Sequence, residues 1–100
     1  MLLIDEAKYL GDSRIELRFN DGRIGVVDAR SLVDGAPGTV FTPLKDEAFV
    51  RQFGLEHGTL SWPGELDVAS EYLYFLAFHN APELQEQFAE WGYLPQTARV

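Results

Sequence analysis

Two histidines, three acidic residues and one group of arginines are the side chains here whose type and spacing could do chemistry or recognise charge. His57 lies in Glu56-His57-Gly58-Thr59, which reads as the tip of a hairpin. His79 precedes Asn80-Ala81-Pro82, at the end of a helical stretch where the dipole favours a cation. Neither has a second histidine at metal-binding spacing, so no zinc site is expected. Glu65, Asp67 and Glu71 form the one weak polar cluster. Asp67 and Glu71 stand four apart and would share a helix face. As a pair they could hold a hard cation or divide acid and base roles. The favoured reading of all three is structural, because carboxylates collect where a helix start exposes N–H groups.

Ser13, Ser31, Ser61 and Ser70 lack the Gly-x-Ser-x-Gly setting of an activated nucleophile. The glycines are scattered, so no phosphate loop is expected. No catalytic residue, cofactor or metal is therefore assigned. Arg14, Arg18, Arg23 and Arg30 make the only cationic cluster, with Glu16, Asp21 and Asp28 interleaved. That pattern predicts cross-strand ion pairs rather than a groove for a polyanion, and makes direct nucleic-acid contact the weaker reading.

The bulk properties agree. The 100 residues are 46% hydrophobic and 24% charged, the composition of one small globular domain. Cysteine is absent, which excludes disulfides and thiol chemistry. Net charge is −8, and the bias is strongest in the second half, with two basic residues against seven acidic ones. An acidic surface favours a basic protein partner. The longest apolar run, Tyr72 to Phe78, is far shorter than a membrane span, and no basic leader precedes it. The expectation is a cytoplasmic protein with no membrane association.

Residues 2–10 read as a first strand. Ile15, Leu17 and Phe19 alternate with Arg14, Glu16 and Arg18, the pattern of a half-buried antiparallel strand. Asn20-Asp21-Gly22 suits a three-residue loop with a left-handed Gly22, after which residues 23–29 return as a strand with Ile24 and Val26 inward. Residues 30–45 are turn-rich, with a helical turn at 30–33 and a turn at Pro37-Gly38. A short helix opens at Asp46 or Glu47, buries Phe49 and Phe53, and ends at Gly54. A second hairpin turns at His57-Gly58 and places Leu60 and Trp62 on one face. Asp67 then caps a helix through residues 72–78, a stretch whose composition alone would also suit a buried strand. Asn80 and Glu83 form a capping box for a last helix carrying Leu84, Phe88 and Trp91, closed by Gly92 and stopped by Pro95.

The first of these two helices has two apolar faces. Ala69, Leu73, Leu76 and Ala77 suit packing on a sheet, and Tyr74, Phe75 and Phe78 lie on the other side. The nearest cover is the last helix, folded back as an αα-hairpin. The rival is that Tyr74, Phe75, Phe78, Phe88 and Trp91 form a surface for self-association or for a protein partner.

Several of these segments occur in a recognisable order: Phe19-Asn20-Asp21-Gly22, Asp28, Val40-Phe41-x-Pro43-Leu44, Phe49, then Leu60-x-Trp62-Pro63-Gly64-x-Leu66-Asp67-x-x-x-Glu71-x-Leu73-Tyr74. The chain resembles domain-of-unknown-function family 2442 (DUF2442), small bacterial α+β proteins, over about residues 4–74. Residues 75–100 look like a helical extension of the same single domain, 1–100. The family commonly has Pro where Ser70 stands, a residue that also suits a first helical turn. The resemblance implies a small α+β domain with no established catalytic residues. It also implies a regulatory setting, since some members carry a helix-turn-helix domain and others sit beside a second small protein as toxin–antitoxin pairs do.

The expected fold is two-layer α+β, antiparallel hairpins packed on helices in the order β-β-β-α-β-β-α, with an extra C-terminal helix. The expected function is a non-enzymatic protein-interaction or regulatory module, in an antitoxin-like manner. The alternatives are a small metal-dependent or acid/base enzyme using Glu65, Asp67 and Glu71, and a nucleic-acid-binding accessory domain.

Overall fold

The computed structural model describes residues 1–35 and 40–94. Its first sheet grows from the alternating segment. β1 (Ile4–Gly11), β2 (Arg14–Phe19) and β3 (Ile24–Asp28) form an antiparallel sheet with β2 in the centre. Ile15, Leu17 and Phe19 are buried, as their period of two demands. Gly22 takes φ 91°, and the Phe19 and Arg23 backbones pair across the loop with a 2.9 Å bond from the Phe19 N–H.

That loop corrects one expectation. Ile24 and Val26 do not face inward; they are exposed, and Val27 is buried in their place. A three-residue loop sets Phe19 opposite Arg23, so Leu17 faces Gly25 and Ile15 faces Val27. Residues opposite one another share a face, and β3 therefore presents its odd-numbered residues to the core.

After β3 the chain makes α1 (Arg30–Gly35), a 3-10 turn at Thr42–Lys45 and α2 (Glu47–Val50). The expected Pro37-Gly38 turn lies outside the described residues. Asp46 caps α2 through a 3.0 Å bond from the Ala48 N–H. The helix stops at Val50 rather than near Phe53, and Gly54 opens a strand instead of ending a helix. Pairing of Leu55 with Leu60 draws this segment into extended geometry, so tertiary contact overrides the local signal.

The second sheet is β4 (Gly54–Glu56), β5 (Thr59–Trp62) and β6 (Leu66–Val68), antiparallel with β5 in the centre. His57 and Gly58 turn β4 into β5 at φ 55° and 77°, the geometry of a tight two-residue hairpin. β6 is a strand where a helix cap was expected: Asp67 pairs with Ser61, and Ala69 takes the N-cap position of the next helix. The turn at Pro63-Gly64-Glu65, with Gly64 and Glu65 both left-handed, sends the chain straight back along β5.

α3 (Ser70–Phe78) follows, preceded by Ala69 and without a side-chain cap. The Ser70 hydroxyl instead donates to the Gly58 carbonyl at 3.0 Å, tying the helix start to the hairpin turn. The expected Asn80/Glu83 capping box is also absent. Pro82–Leu84 forms a 3-10 turn whose preceding residue is Ala81, and Gln85 bonds the carbonyls of His79 and Ala81 at 2.9 Å. α4 (Gln85–Glu90) ends at Gly92, φ 90°, where the Tyr93 N–H reaches the Phe88 carbonyl at 2.9 Å. Pro95 lies outside the described residues.

One core joins both sheets and the helices. Phe19, Ile15 and Leu17 meet Leu60, Trp62, Val68, Leu73, Tyr74 and Phe88 in a single buried cluster. Phe49 and Phe53 pack against it half-buried, while Val50 between them is fully enclosed. The Trp62 indole N–H donates to the Val50 carbonyl at 3.0 Å, so this large ring is buried with its polar atom satisfied. The chain is α+β, two three-stranded antiparallel sheets with helices.

Candidate functional site

The acidic residues come from the outer face of the second sheet. Leu60 and Trp62 turn into the core, which leaves Thr59 and Ser61 outward with their partners Glu56 and Asp67. These line an open groove of about 470 Å³, together with His57, Trp62, Pro63, Gly64 and Glu65. The structure thus brings Glu65, Asp67 and His57 to one place and adds Glu56, which the sequence reading passed over. Glu71 is not among the lining residues. It lies on α3, where its charge acts on Tyr93 and, after burial, pushes that phenol up. With Asp67 in β6 and Glu71 in α3, the two share no helix face. Among the described residues no three acidic or histidine side chains are placed to hold one metal ion. His79 lies at the end of α3, with Nδ1 3.2 Å from the Leu76 carbonyl oxygen.

The aromatic residues pack within the chain. Tyr74 is 5% and Phe88 0% exposed, and Phe75, Phe78 and Trp91 are half-buried against the core. α4 covers α3: the Phe75 and Phe88 rings meet edge-on at 5.1 Å, and Trp91 lies 6.1 Å from Tyr74. This is the αα-hairpin cover that the sequence suggested. The Tyr74 hydroxyl donates to Asp21 at 2.6 Å, fastening the β2–β3 loop to α3. Burial first, and then Asp21, push the Tyr74 phenol up to about 12. Arg23 closes the same corner, 3.0 Å from Glu83 and 6.0 Å from the Phe78 ring centre.

Three of the four arginines, Arg18, Arg23 and Arg30, pair with carboxylates inside the chain. Arg18 lies 3.6 Å from Glu6, Arg23 pairs with Glu83 and Asp21, and Arg30 lies 2.7 Å from Asp28 and 3.5 Å from Asp12. Arg14 stands opposite Asp28 in the ladder. Hydrogen bonding to the Arg30 guanidinium holds the Asp28 carboxyl below its usual range. These are the cross-strand and local pairs expected of a wet sheet face.

That face carries a feature the sequence reading missed. Its cross-strand rows run Glu6–Arg18–Ile24 and Lys8–Glu16–Val26. Each row ends at β3 on an apolar, β-branched side chain, with Ile24 57% and Val26 44% exposed. β3 is also a sheet edge. The ladder to β2 uses Arg23 at one end and Ala29 at the other, whose N–H reaches the Ser13 carbonyl at 2.8 Å. Alternation along an antiparallel strand then points the backbone groups of Arg23, Gly25, Val27 and Ala29 at β2. Those of Ile24 and Val26 point outward, and among the described residues nothing bonds them. The sequence held the needed signal: an inward Phe19 and a three-residue loop together force the even positions out.

Among the described residues no helix is long and apolar enough to cross a membrane. No curated protein and no solved structure matches the chain. The family described as protein of unknown function (DUF2442) matches residues 4–79, from the start of β1 to just past the end of α3. The Trp62-Pro63-Gly64 turn, the strand carrying Asp67 and the opening of α3 all fall inside that span, and the chain belongs to the DUF2442 family.

Proposed function

We propose that this domain is a non-enzymatic protein-interaction module that takes up its partner by strand addition along β3. One observation carries the reading. Ile24 and Val26 expose apolar side chains on the same strand whose outward N–H and C=O groups are unbonded among the described residues. Strand addition uses these two elements together: main-chain bonds supply affinity and alternate side chains supply selectivity. The remaining candidate groups support it by their engagement elsewhere. Arg18, Arg23 and Arg30 are paired with carboxylates, so a nucleic-acid phosphate would have to displace an ion pair at each of these three contacts. The aromatic side chains of α3 and α4 hold the core together. A regulatory role follows if the partner is itself an active protein held by this edge.

Site-directed photocrosslinking in the host cell tests the reading. A photoreactive residue at Val26 gives a discrete adduct, and the same residue at Ser61, on the other sheet, does not. Absence of any adduct from position 26, or equal adducts from both positions, contradicts it.

A further inference from the structure

Strand addition at β3, the reading above on which this inference rests, leaves open what the added strand is. We infer that it is β3 of a second copy of this chain, paired antiparallel about a two-fold axis with Ile24 opposite Val26.

Register decides the matter, and three two-fold pairings are centred within the exposed apolar stretch Ile24–Val26. Centring on Val26 sets Val26 against Val26 and Ile24 against Asp28, and it brings two Glu16-bearing rows end to end. Centring on Ile24 brings the two Arg18-bearing rows end to end, with Val26 facing Gly22. Each places like charges on one line and leaves an apolar side chain without an apolar partner.

Centring on Gly25 does neither. Ile24 of each copy stands opposite Val26 of the other, so all four apolar side chains adjoin in one patch. The combined row then reads Glu6–Arg18–Ile24, followed by Val26–Glu16–Lys8 of the second copy. Arg18 and the second copy's Glu16 flank the apolar pair with opposite charge, and the two-fold axis repeats the arrangement. Neighbouring strands lie roughly 4.8 Å apart, so these two backbones stand about 14 Å apart and their long side chains converge over the apolar pair. The outward backbone groups of Ile24 and Val26 meet their counterparts in this register, which completes four main-chain bonds. Gly25 on the axis has its own side-chain position filled by α3, on the opposite face, and contributes nothing to the patch. The same surface is thus self-complementary in apolar contact, hydrogen bonding and charge, the requirement for an isologous interface.

The absence of cysteine makes the register measurable. Hydrogen-bonded antiparallel pairs hold their Cα atoms about 5.5 Å apart, within disulfide range. Ile24→Cys and Val26→Cys chains are purified separately, mixed, and oxidised with a mild thiol oxidant, beside each variant alone. The unmodified chain is followed by sedimentation equilibrium from micromolar to millimolar concentration, beside Val26→Pro. Proline there removes an N–H directed at the free edge and leaves the β2 ladder whole. The expected results are a reversible dimer, association at least tenfold weaker in Val26→Pro at a melting temperature unchanged in dilute solution, and a mixed disulfide outpacing either homodisulfide. Val26→Cys linking to itself as fast as to Ile24→Cys overturns the register. A chain monomeric throughout overturns self-pairing. In that case a photoadduct of Val26 with a different protein leaves the interaction-module reading standing, and absence of any adduct removes both.

Discussion

At Gly25 the β3 backbone lies close against α3, and replacing it tests whether that approach is real. A Cβ at this position would stand 2.8 Å from the Ala77 Cβ and 2.9 Å from two atoms of the Phe78 ring. Carbon atoms prefer about 3.5–4.0 Å, so Gly25→Ala forces a gap of roughly 0.7 Å or more to open between strand and helix. Overpacking of this kind costs about 1–3 kcal/mol. Restricting the unfolded chain returns about 0.4–1 kcal/mol. The net expectation is a loss of about 1–2 kcal/mol, or a melting temperature lower by roughly 5–15 °C for a domain of this size. Urea unfolding followed by tryptophan fluorescence measures it. Removing the struck methyl with Ala77→Gly should return part of the loss, so the two substitutions together cost less than their separate costs added. A Gly25→Ala domain as stable as the parent, or more so, refutes the packing of α3 on β3.

Three further outcomes follow from the same geometry. Gly22→Val lowers stability by about 1–3 kcal/mol from backbone strain alone, because φ is 91° and a Cβ there meets nothing within 4 Å; an unchanged melting curve contradicts the loop. Phe88→Ala costs about 3–5 kcal/mol, since the ring is fully buried among Tyr74, Phe75 and Trp91; a loss below about 1 kcal/mol in urea unfolding would place α4 away from the core. Tyr74 releases its proton near 12 in the fold against about 10 when unfolded, so its contribution is complete below pH 10 and disappears as pH rises towards 12. Stability should fall by about 1–2 kcal/mol across that window, and Tyr74→Phe should flatten that part of the profile; an identical alkaline profile in the variant contradicts the buried bond to Asp21.

Much of the fold was legible because short-range chemistry dictates it. The period of two in β2, the loop glycine at position 22 and the His57-Gly58 turn each act within a few residues, and each formed as the residues require. The errors share a cause. Gly54 and Asp67 carry helix-end signals, yet both lie in strands, because pairing with β5 decides their conformation and no local signal records that partner. Asn80 was a sound cap on paper, and Pro82 substituted a 3-10 turn. The facing of β3 was a different kind of miss. Ile24 and Val26 look like core residues by type, and only the loop length, counted from an inward Phe19, shows that they point to solvent. The candidate site was hidden for that reason. Exposed apolar residues on an edge strand look the same in the sequence as inward ones, and hydrophobicity alone assigns both to the core. The carboxylates misled in the opposite way: Asp67 and Glu71, four apart in sequence, belong to different elements.

Amide hydrogen exchange along β3, read residue by residue by NMR at low and at high protein concentration, tests the central claim most directly. In dilute solution the Gly25 and Val27 amides should be protected by the β2 ladder, and the Ile24 and Val26 amides should exchange freely. At high concentration the Ile24 and Val26 amides should become protected while Gly25 and Val27 stay as they were. Protection of Ile24 and Val26 already complete in the dilute monomer, or no gain of it at any concentration or with any partner added, would contradict a free edge built for docking.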